Sequence, residues 1–264
     1  MPRDDLGRNL TASKGLLFAC CENSVLITDD VLFIHIPKTG GMSVQWYLLN
    51  NLRGQLTVSI PPRGFDNTRR SLKFADIDGR LNFIPGKRHE TLAETRTVLK
   101  QRGLEIESFK LILAVIRNPY DLEVSHFEYL KQPDARTHRP PGDLAMQLAC
   151  QGDFEEFAEK AAYYGRNPAV MERYYTLDGK QPGNMRIVRF EHLAAEIGCL
   201  VEPYSLKRFQ MEHHNRTRQR ENYRAYLTPR AEQAIYVKYR YLFEFYEREG
   251  TLSALGSPST APLT

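Results

Sequence analysis

The sequence has few cysteines and no apolar run long enough to cross a membrane. Its four cysteines are too scattered among 264 residues for a disulfide scaffold, and no two of them form a C-x-x-C pair that would bind zinc. The apolar stretch 15–21 is too short to span a bilayer and ends at Glu22 rather than at a small-residue cleavage site. We therefore expect reduced cysteines and a cytoplasmic protein without a membrane span, unless a leader has been lost.

Strong charge of one sign is also lacking, because 36 lysines and arginines face 32 acidic residues and the formal net charge is only +4. This mild excess suits an anionic ligand without requiring one. The sequence has no zinc-finger spacing, no RNP-like motif and no long basic run, so it predicts no nucleic-acid partner. Hydrophobic residues at 42% and charged residues at 26% are values typical of a globular chain.

The length suits one large domain with a full hydrophobic core. Residues 1–30 mix charged, glycine and polar residues and predict an N-terminal arm with room for one short element. Residues 31–250 form the predicted domain. Residues 251–264 are rich in serine, proline, alanine and threonine and predict a flexible tail.

Apolar runs predict the strands of this domain. Nearly continuous runs at 31–36 and 110–116 predict strands buried on both faces, and 80–84 and 185–190 are shorter candidates. The polar stretch 59–79 predicts a surface loop.

Helix signals alternate with these strands. Apolar residues at helical spacing in 43–52 predict the first helix. Asn118 followed by Pro119, and Thr228 followed by Pro229, have the N-cap and first-turn pattern that begins a helix. Strands alternating with helices predict a single-domain α/β fold, with a P-loop-like central parallel sheet and helices on both faces. Such sheets bind ligands at the carboxyl ends of their strands.

A glycine-containing turn joins the first buried strand to the first helix. Free backbone N–H groups and the positive helix end can hold a phosphate at such a turn. The glycines let the backbone approach oxygen atoms, the lysine is a mobile cation, and Thr39 or Ser43 can donate a hydroxyl hydrogen bond. The leading glycine and the Gly-Lys-Ser/Thr order of a Walker A loop are missing, which disfavours a nucleoside triphosphatase. The residues of this loop are Pro37, Lys38, Thr39, Gly40, Gly41, Met42 and Ser43.

The run from His35 to Ser43 resembles the 5′-phosphosulfate loop of PAPS-dependent sulfotransferases, particularly the carbohydrate and heparan O-sulfotransferase group. Met42 departs from the family pattern, in which threonine or serine is more common. The resemblance implies PAPS as donor, PAP as product and no metal requirement. Lys38 would stabilise the charge that grows on the bridging oxygen as PAP leaves.

Two further segments resemble this family. The strand at 110–116 leads to Arg117 and then to Ser125, and in the family an arginine and a serine at this spacing bind the 3′-phosphate of the donor. A guanidinium and a hydroxyl can hold one phosphate with charge-assisted hydrogen bonds. The segment around Thr217 and Arg218 resembles the one that closes over the nucleotide in heparan-type enzymes, although a solvated arginine-rich loop is an equal alternative.

The acceptor hydroxyl must lose a proton, and two neighbouring residues after the strand at 80–84 are candidate bases. His89 resembles the catalytic histidine of the 6-O-type heparan enzymes. Glu90 is the competing base, since other members use a glutamate. His35 lies within a buried strand, which favours a packing role.

Aromatic residues leave a second question open. Sugars pack on aromatic faces, so a group of tyrosines could line an acceptor groove, but the same residues could simply bury helix faces. The tyrosines are Tyr163, Tyr164, Tyr174 and Tyr175.

The sequence thus predicts a PAPS-dependent O-sulfotransferase acting on a small-molecule or carbohydrate hydroxyl, such as a glycosylated metabolite. It leaves open the regiochemistry and the oligomeric state. Three alternatives remain: a kinase with a divergent phosphate loop, a catalytically silent nucleotide-binding protein, and nucleic-acid binding through the arginines of 216–224.

Overall fold

The structure is a computed structural model, and it describes residues 25–61, 78–87, 89–133, 135, 142–162, 168–206 and 222–255. The strands are β1 (Val25–Ile27), β2 (Val31–Ile34), β3 (Leu56–Ile60), β4 (Leu81–Pro85), β5 (Leu111–Ile116) and β6 (Met185–Arg189). The α-helices are α1 (Gly41–Asn51), α2 (Leu92–Lys100), α3 (Pro119–Leu130), α4 (Leu144–Gln151), α5 (Phe154–Lys160), α6 (Leu193–Val201) and α7 (Pro229–Leu255). Short 3-10 helices occur at Asp78–Arg80, Ile106–Ser108, Pro168–Tyr174, Phe190–His192, Glu202–Tyr204 and Tyr223–Tyr226.

The six strands form one mixed sheet in the order β4-β3-β1-β2-β5-β6. β2 pairs in parallel with β5, and β3 pairs in parallel with β4, whereas β1 is antiparallel to both β2 and β3. The α/β class is therefore confirmed, and the central sheet that was predicted to be parallel is mixed.

A tight turn makes β1 antiparallel. Only Asp29 and Asp30 separate Thr28 from Val31, and a connection this short can join only antiparallel strands. Thr28 N–H donates to Val31 O at 2.9 Å, and Val31 N–H donates back to Thr28 Oγ1 at 2.8 Å. The short element expected within residues 1–30 is β1, and it lies inside the sheet between β2 and β3.

The sequence-based prediction also missed β3. The predicted loop at 59–79 includes its last two residues, Ser59 and Ile60. Leu56, Val58 and Ile60 are fully buried and alternate with the less apolar Thr57 and Ser59, a period of two that is typical of a strand. The signal was present but short, and the polar stretch that follows masked it.

The predicted helix starts are confirmed. Asn118 Oδ1 accepts from Tyr120 N–H at 3.0 Å, and Pro119 is the first residue of α3. Thr228 Oγ1 accepts from Ala231 N–H at 3.2 Å at the start of α7. Both caps satisfy backbone donors that the first helical turn leaves without a partner.

The described residues fall into two compact units. The first lies within Met1–Val115, Arg173–Arg186 and His192–Arg218. The second lies within Ile116–Glu172, Ile187–Glu191 and Gln219–Thr264.

In the first unit, β2 is buried on both faces. All four of its residues, Val31–Ile34, have zero solvent exposure. Tyr175 is also fully buried, and its hydroxyl donates to Val115 O at 3.1 Å. Burial of such side chains stabilises the unit by about 1.5–3 kcal/mol for each large apolar residue, which explains the continuous apolar runs in the sequence.

In the second unit, α3 packs through aromatic contacts. The ring of Phe127 lies edge to face against Phe154 and Phe157 of α5, with centroid distances of 5.2 and 5.1 Å. Tyr120 makes a similar contact with Phe243 of α7 at 4.8 Å. These contacts fix the helix that follows β5.

Candidate functional site

In the first unit, the loop after β2 contains two residues with positive φ. Lys38 has φ 60°, in the left-handed region, and Gly40 has φ 78°. Gly40 is the N-cap of α1, and its carbonyl accepts from Ser43 N–H at 3.0 Å. Two residues with positive φ bend the chain sharply, so that the loop passes directly into the positive end of α1.

The two hydroxyls of this loop lie in different surroundings. Thr39 is 1% exposed, and its Oγ1 donates to Ile36 O at 3.0 Å. That hydroxyl hydrogen bond stabilises the loop itself, so Ser43 is the better candidate to donate a hydroxyl hydrogen bond to a ligand. Ser43 is also buried, at 8% exposure, on the first turn of α1.

His35 packs against the glycine that begins α1. A Cβ built on Gly41 would lie 2.1 Å from His35 Cδ2, closer than two such atoms can approach. His35 is 3% exposed, and its imidazole ring fills the space in front of Gly41. The predicted packing role of His35 agrees with this position, and Gly41 is required because any side chain would collide with the ring.

His89 occupies a strained position at the turn between β4 and α2. Its φ is 52°, and its carbonyl oxygen accepts from Tyr174 Oη at 2.9 Å. Its Nδ1 lies 3.3 Å from His35 O, and the rings of His89 and His35 meet edge to face with centroids 5.1 Å apart. A carbonyl oxygen can only accept, so this contact favours the tautomer with the proton on Nδ1 and basic character on Nε2.

Glu90, the next residue, is 1% exposed. Its Oε2 accepts from Ser59 Oγ at 2.8 Å, and its Oε1 accepts from Lys87 N–H at 2.8 Å. Burial raises the pKa of Glu90 above its ordinary value, and the hydrogen bonds from Lys87 and Ser59 oppose that rise. Both candidate bases therefore lie in one turn, but they have different surroundings.

In the second unit, Arg117 follows β5, and its side chain contacts Asp121 and Phe190. Its Nε donates to Asp121 Oδ2 at 2.6 Å, and its guanidinium lies 4.2 Å from the ring centroid of Phe190. The side chains of Arg117 and Asp121 are 8% and 14% exposed. The carboxylate and the aromatic face hold the guanidinium in one plane. Its N–H groups therefore point in fixed directions, as directed hydrogen bonds to an anion require.

Ser125 lies two helical turns further along α3. It is 1% exposed, and its Oγ has no hydrogen-bond partner among the described residues. A buried hydroxyl without a partner is uncommon because its desolvation is not compensated, and it requires an explanation. A ligand that accepts this hydrogen bond would provide one.

Sequence reasoning did not identify the partners that position these residues. The sequence does offer one usable signal, since Asp121 lies four residues after Arg117. Phe190 and Tyr174 are far from their partners along the chain, and nothing in the sequence pairs them. Of the four tyrosines, Tyr174 and Tyr175 are buried core residues rather than groove residues, whereas Tyr163 and Tyr164 lie outside the described residues.

The predicted contacts Thr217 and Arg218 also lie outside the described residues. No protein-family model, curated protein or solved structure matches this chain. In the described parts of the chain, no helix is both long and apolar enough to cross a membrane. In the same parts, no group of three or more histidine, cysteine, aspartate or glutamate side chains could hold a metal ion.

Proposed function

We propose that this chain is a PAPS-dependent O-sulfotransferase. The observation that carries the proposal is the backbone conformation of Lys38 and His89. Both are in the left-handed region, and among the described non-glycine residues only Asp178 shares that feature. A residue other than glycine pays for this conformation, and such strain concentrates where a side chain must be presented in a fixed direction. Lys38 and His89, which the sequence indicates as the catalytic cation and the base, are thus two of the three described non-glycine residues with positive φ.

The donor assignment uses the segments that follow β2 and β5. The Pro37–Ser43 loop follows β2, and Arg117 follows β5. In the proposal the loop binds the 5′-phosphosulfate of PAPS, and Arg117 and Ser125 bind the 3′-phosphate. Thr217 and Arg218 would contribute further contacts to the nucleotide.

The proposed reaction is an in-line transfer. His89 Nε2 accepts the proton of the acceptor hydroxyl as its oxygen attacks sulfur, and the bond between sulfur and the bridging phosphate oxygen breaks. Lys38 stabilises the negative charge that develops on that bridging oxygen. The products are a sulfate ester, PAP and a protonated histidine. The acceptor in this proposal is a hydroxyl on a sugar or glycosylated metabolite.

The test is transfer of labelled sulfate from PAPS to a panel of sugars and glycosylated metabolites. We expect transfer with the wild type and none with Lys38→Gly, which removes the amine and tolerates the left-handed backbone. The control is Lys110→Ala, which removes an exposed lysine side chain that pairs with Asp30 and should retain transfer.

Two outcomes would overturn the proposal. PAP binding without transfer to any acceptor would favour a catalytically silent nucleotide-binding protein. Phosphate transfer from magnesium-ATP would favour a kinase.

A further inference from the structure

The turn that presents His89 is held together by a buried carboxylate. Glu90 Oε1 accepts from the backbone N–H of Lys87, at the start of the turn, and Glu90 Oε2 accepts from Ser59 Oγ on β3. One side chain thus ties the turn to itself and to the neighbouring strand. Both hydrogen bonds are 2.8 Å long, and Ser59 is fully buried.

Gly86 allows this arrangement. A Cβ at this position would lie 1.8 Å from Ser59 Oγ and 2.6 Å from Glu90 Oε1. Its N–H donates to Ile60 O at 2.8 Å, which continues the pairing of β3 and β4 up to the turn. The chain therefore approaches the carboxylate closely because Gly86 has no side chain.

His89 lies within the turn that the hydrogen bonds of Glu90 hold together. Glu90 follows it directly, Lys87 precedes it by two residues, and Tyr174 Oη binds its carbonyl oxygen. The next residue, Thr91, is the N-cap of α2 and forms a capping box with Glu94. Each of these contacts restrains backbone on one side of His89, so together they maintain its left-handed conformation.

We propose that Glu90 is a positioning residue for His89 and is not itself the base. Its carboxylate holds the turn in the shape that directs the His89 imidazole toward the acceptor hydroxyl. This inference rests on the proposed function for the role of His89 as base, whereas the hold of Glu90 on the turn can be tested without any turnover.

The two roles of Glu90 make opposite demands on its chemistry. A base needs a carboxylate that can take a proton, so Glu90→Gln would abolish transfer. A positioning residue needs only two hydrogen-bonding groups in the places of the two carboxylate oxygens. The glutamine Oε1 can still accept from Lys87 N–H, and its amide can donate to Ser59 Oγ.

The experiment compares Glu90→Gln, Glu90→Ala and Ser59→Ala with the wild type in two measurements. The first is the ¹⁵N chemical shifts of the His89 ring, which report its tautomer. We expect wild-type shifts in Glu90→Gln and a shift toward a tautomer mixture in Glu90→Ala, because the contact between His89 Nδ1 and His35 O is lost. Ser59→Ala removes one of the two hydrogen bonds and should give an intermediate spectrum, and it keeps the test informative if Glu90→Ala fails to fold.

The second measurement is kcat for sulfuryl transfer. Glu90→Gln should keep kcat within about threefold of the wild type, while Glu90→Ala should lose roughly 100-fold, the effect of misplacing a catalytic group by about 1 Å. Glu105→Gln, an exposed carboxylate in the same unit, is the matched control and should leave both measurements unchanged.

The outcomes separate the two proposals. Loss of transfer in Glu90→Gln with an unchanged His89 spectrum would make Glu90 the base and overturn the inference. A wild-type spectrum in both Glu90→Ala and Ser59→Ala would also overturn it. Absence of sulfuryl transfer in the wild type would instead contradict the proposed function, and the spectra would still decide whether Glu90 positions the His89 ring.

Discussion

Lys238 Nζ lies 2.6 Å from Glu123 Oε1, and this ion pair is buried, with side-chain exposures of 9% and 1%. The other carboxylate oxygen, Oε2, accepts from Tyr239 Oη at 2.7 Å. Lys238 Nζ also donates to Ala161 O at 3.0 Å. The ion pair joins α3, which bears Ser125, to α7 at the residue before the kink, since Tyr239 has φ −120° and ψ 24°.

We predict that Glu123→Ala destabilises the protein strongly, by about 3–5 kcal/mol, because it leaves the Lys238 ammonium buried without its carboxylate. The free energy of unfolding in urea measures this change. Glu159→Ala is the matched control, since Glu159 binds Arg230 at 2.6 Å on an exposed surface and its loss should leave the urea midpoint almost unchanged. Equal effects of the two substitutions would contradict the role assigned to the buried pair.

Ser125→Ala should separate ligand binding from folding. The Oγ of Ser125 has no hydrogen-bond partner among the described residues, and such a buried hydroxyl costs stability, so its removal should raise the free energy of unfolding by roughly 1 kcal/mol. The same substitution should weaken PAP binding, because the hydroxyl is proposed to donate to the 3′-phosphate. Unfolding in urea and calorimetric titration with PAP measure the two effects. A variant that loses stability and keeps full PAP affinity would assign Ser125 a purely structural role.

Gly41→Ala tests the contact between His35 and the start of α1. The added methyl group collides with the His35 ring, so we expect a loss of about 1–3 kcal/mol in the free energy of unfolding. In a His35→Ala background the ring is absent, and Gly41→Ala should be neutral or slightly stabilising because alanine favours helix. The double-mutant cycle measures this coupling. The same loss in both backgrounds would show that the collision is not with His35.

The raised pKa of Glu90 predicts a pH dependence of stability. The folded state binds the Glu90 proton more tightly than the unfolded chain, whose carboxyl titrates near 4.5, so stability should fall as the pH rises from about that value through the raised pKa. Glu90→Gln has no such proton. The stability of the wild type relative to Glu90→Gln should therefore be lower at pH 7 than at pH 4, as measured by urea unfolding at each pH. A relative gain of wild-type stability with rising pH would contradict the sign of this shift.

Local signals made much of the fold predictable. Strands β2 and β5 were recognised because continuous apolar runs are unusual outside buried strands, and α3 and α7 because Asn118 and Thr228 are each followed by proline. The strand β1 was not recognised as part of the sheet because it has only three residues, Val25–Ile27. The mixed sheet could not be predicted from β2 and β5 alone, since its antiparallel pairs depend on that short strand.

The candidate site was predictable in its residue types but not in its supports. The sequence drew attention to Lys38, His89 and Arg117 because each follows a predicted strand. It could not show that Tyr174 binds the His89 carbonyl or that Phe190 lies under Arg117, because those partners come from distant segments. The positive φ of His89 was equally hidden, since it follows from the tertiary contacts that hold the turn.

We propose that this chain binds the donor nucleotide of a sulfotransferase, and calorimetric titration with PAP is the first experiment to make. PAP, ATP and ADP are compared with and without magnesium, using the wild type, Arg117→Ala and, as control, the exposed Arg186→Ala. We expect metal-independent PAP binding that falls roughly 10- to 100-fold in Arg117→Ala, because charge-assisted hydrogen bonds are lost, and that is unchanged in Arg186→Ala. A preference for magnesium-ATP, or PAP affinity that does not depend on Arg117, would contradict it.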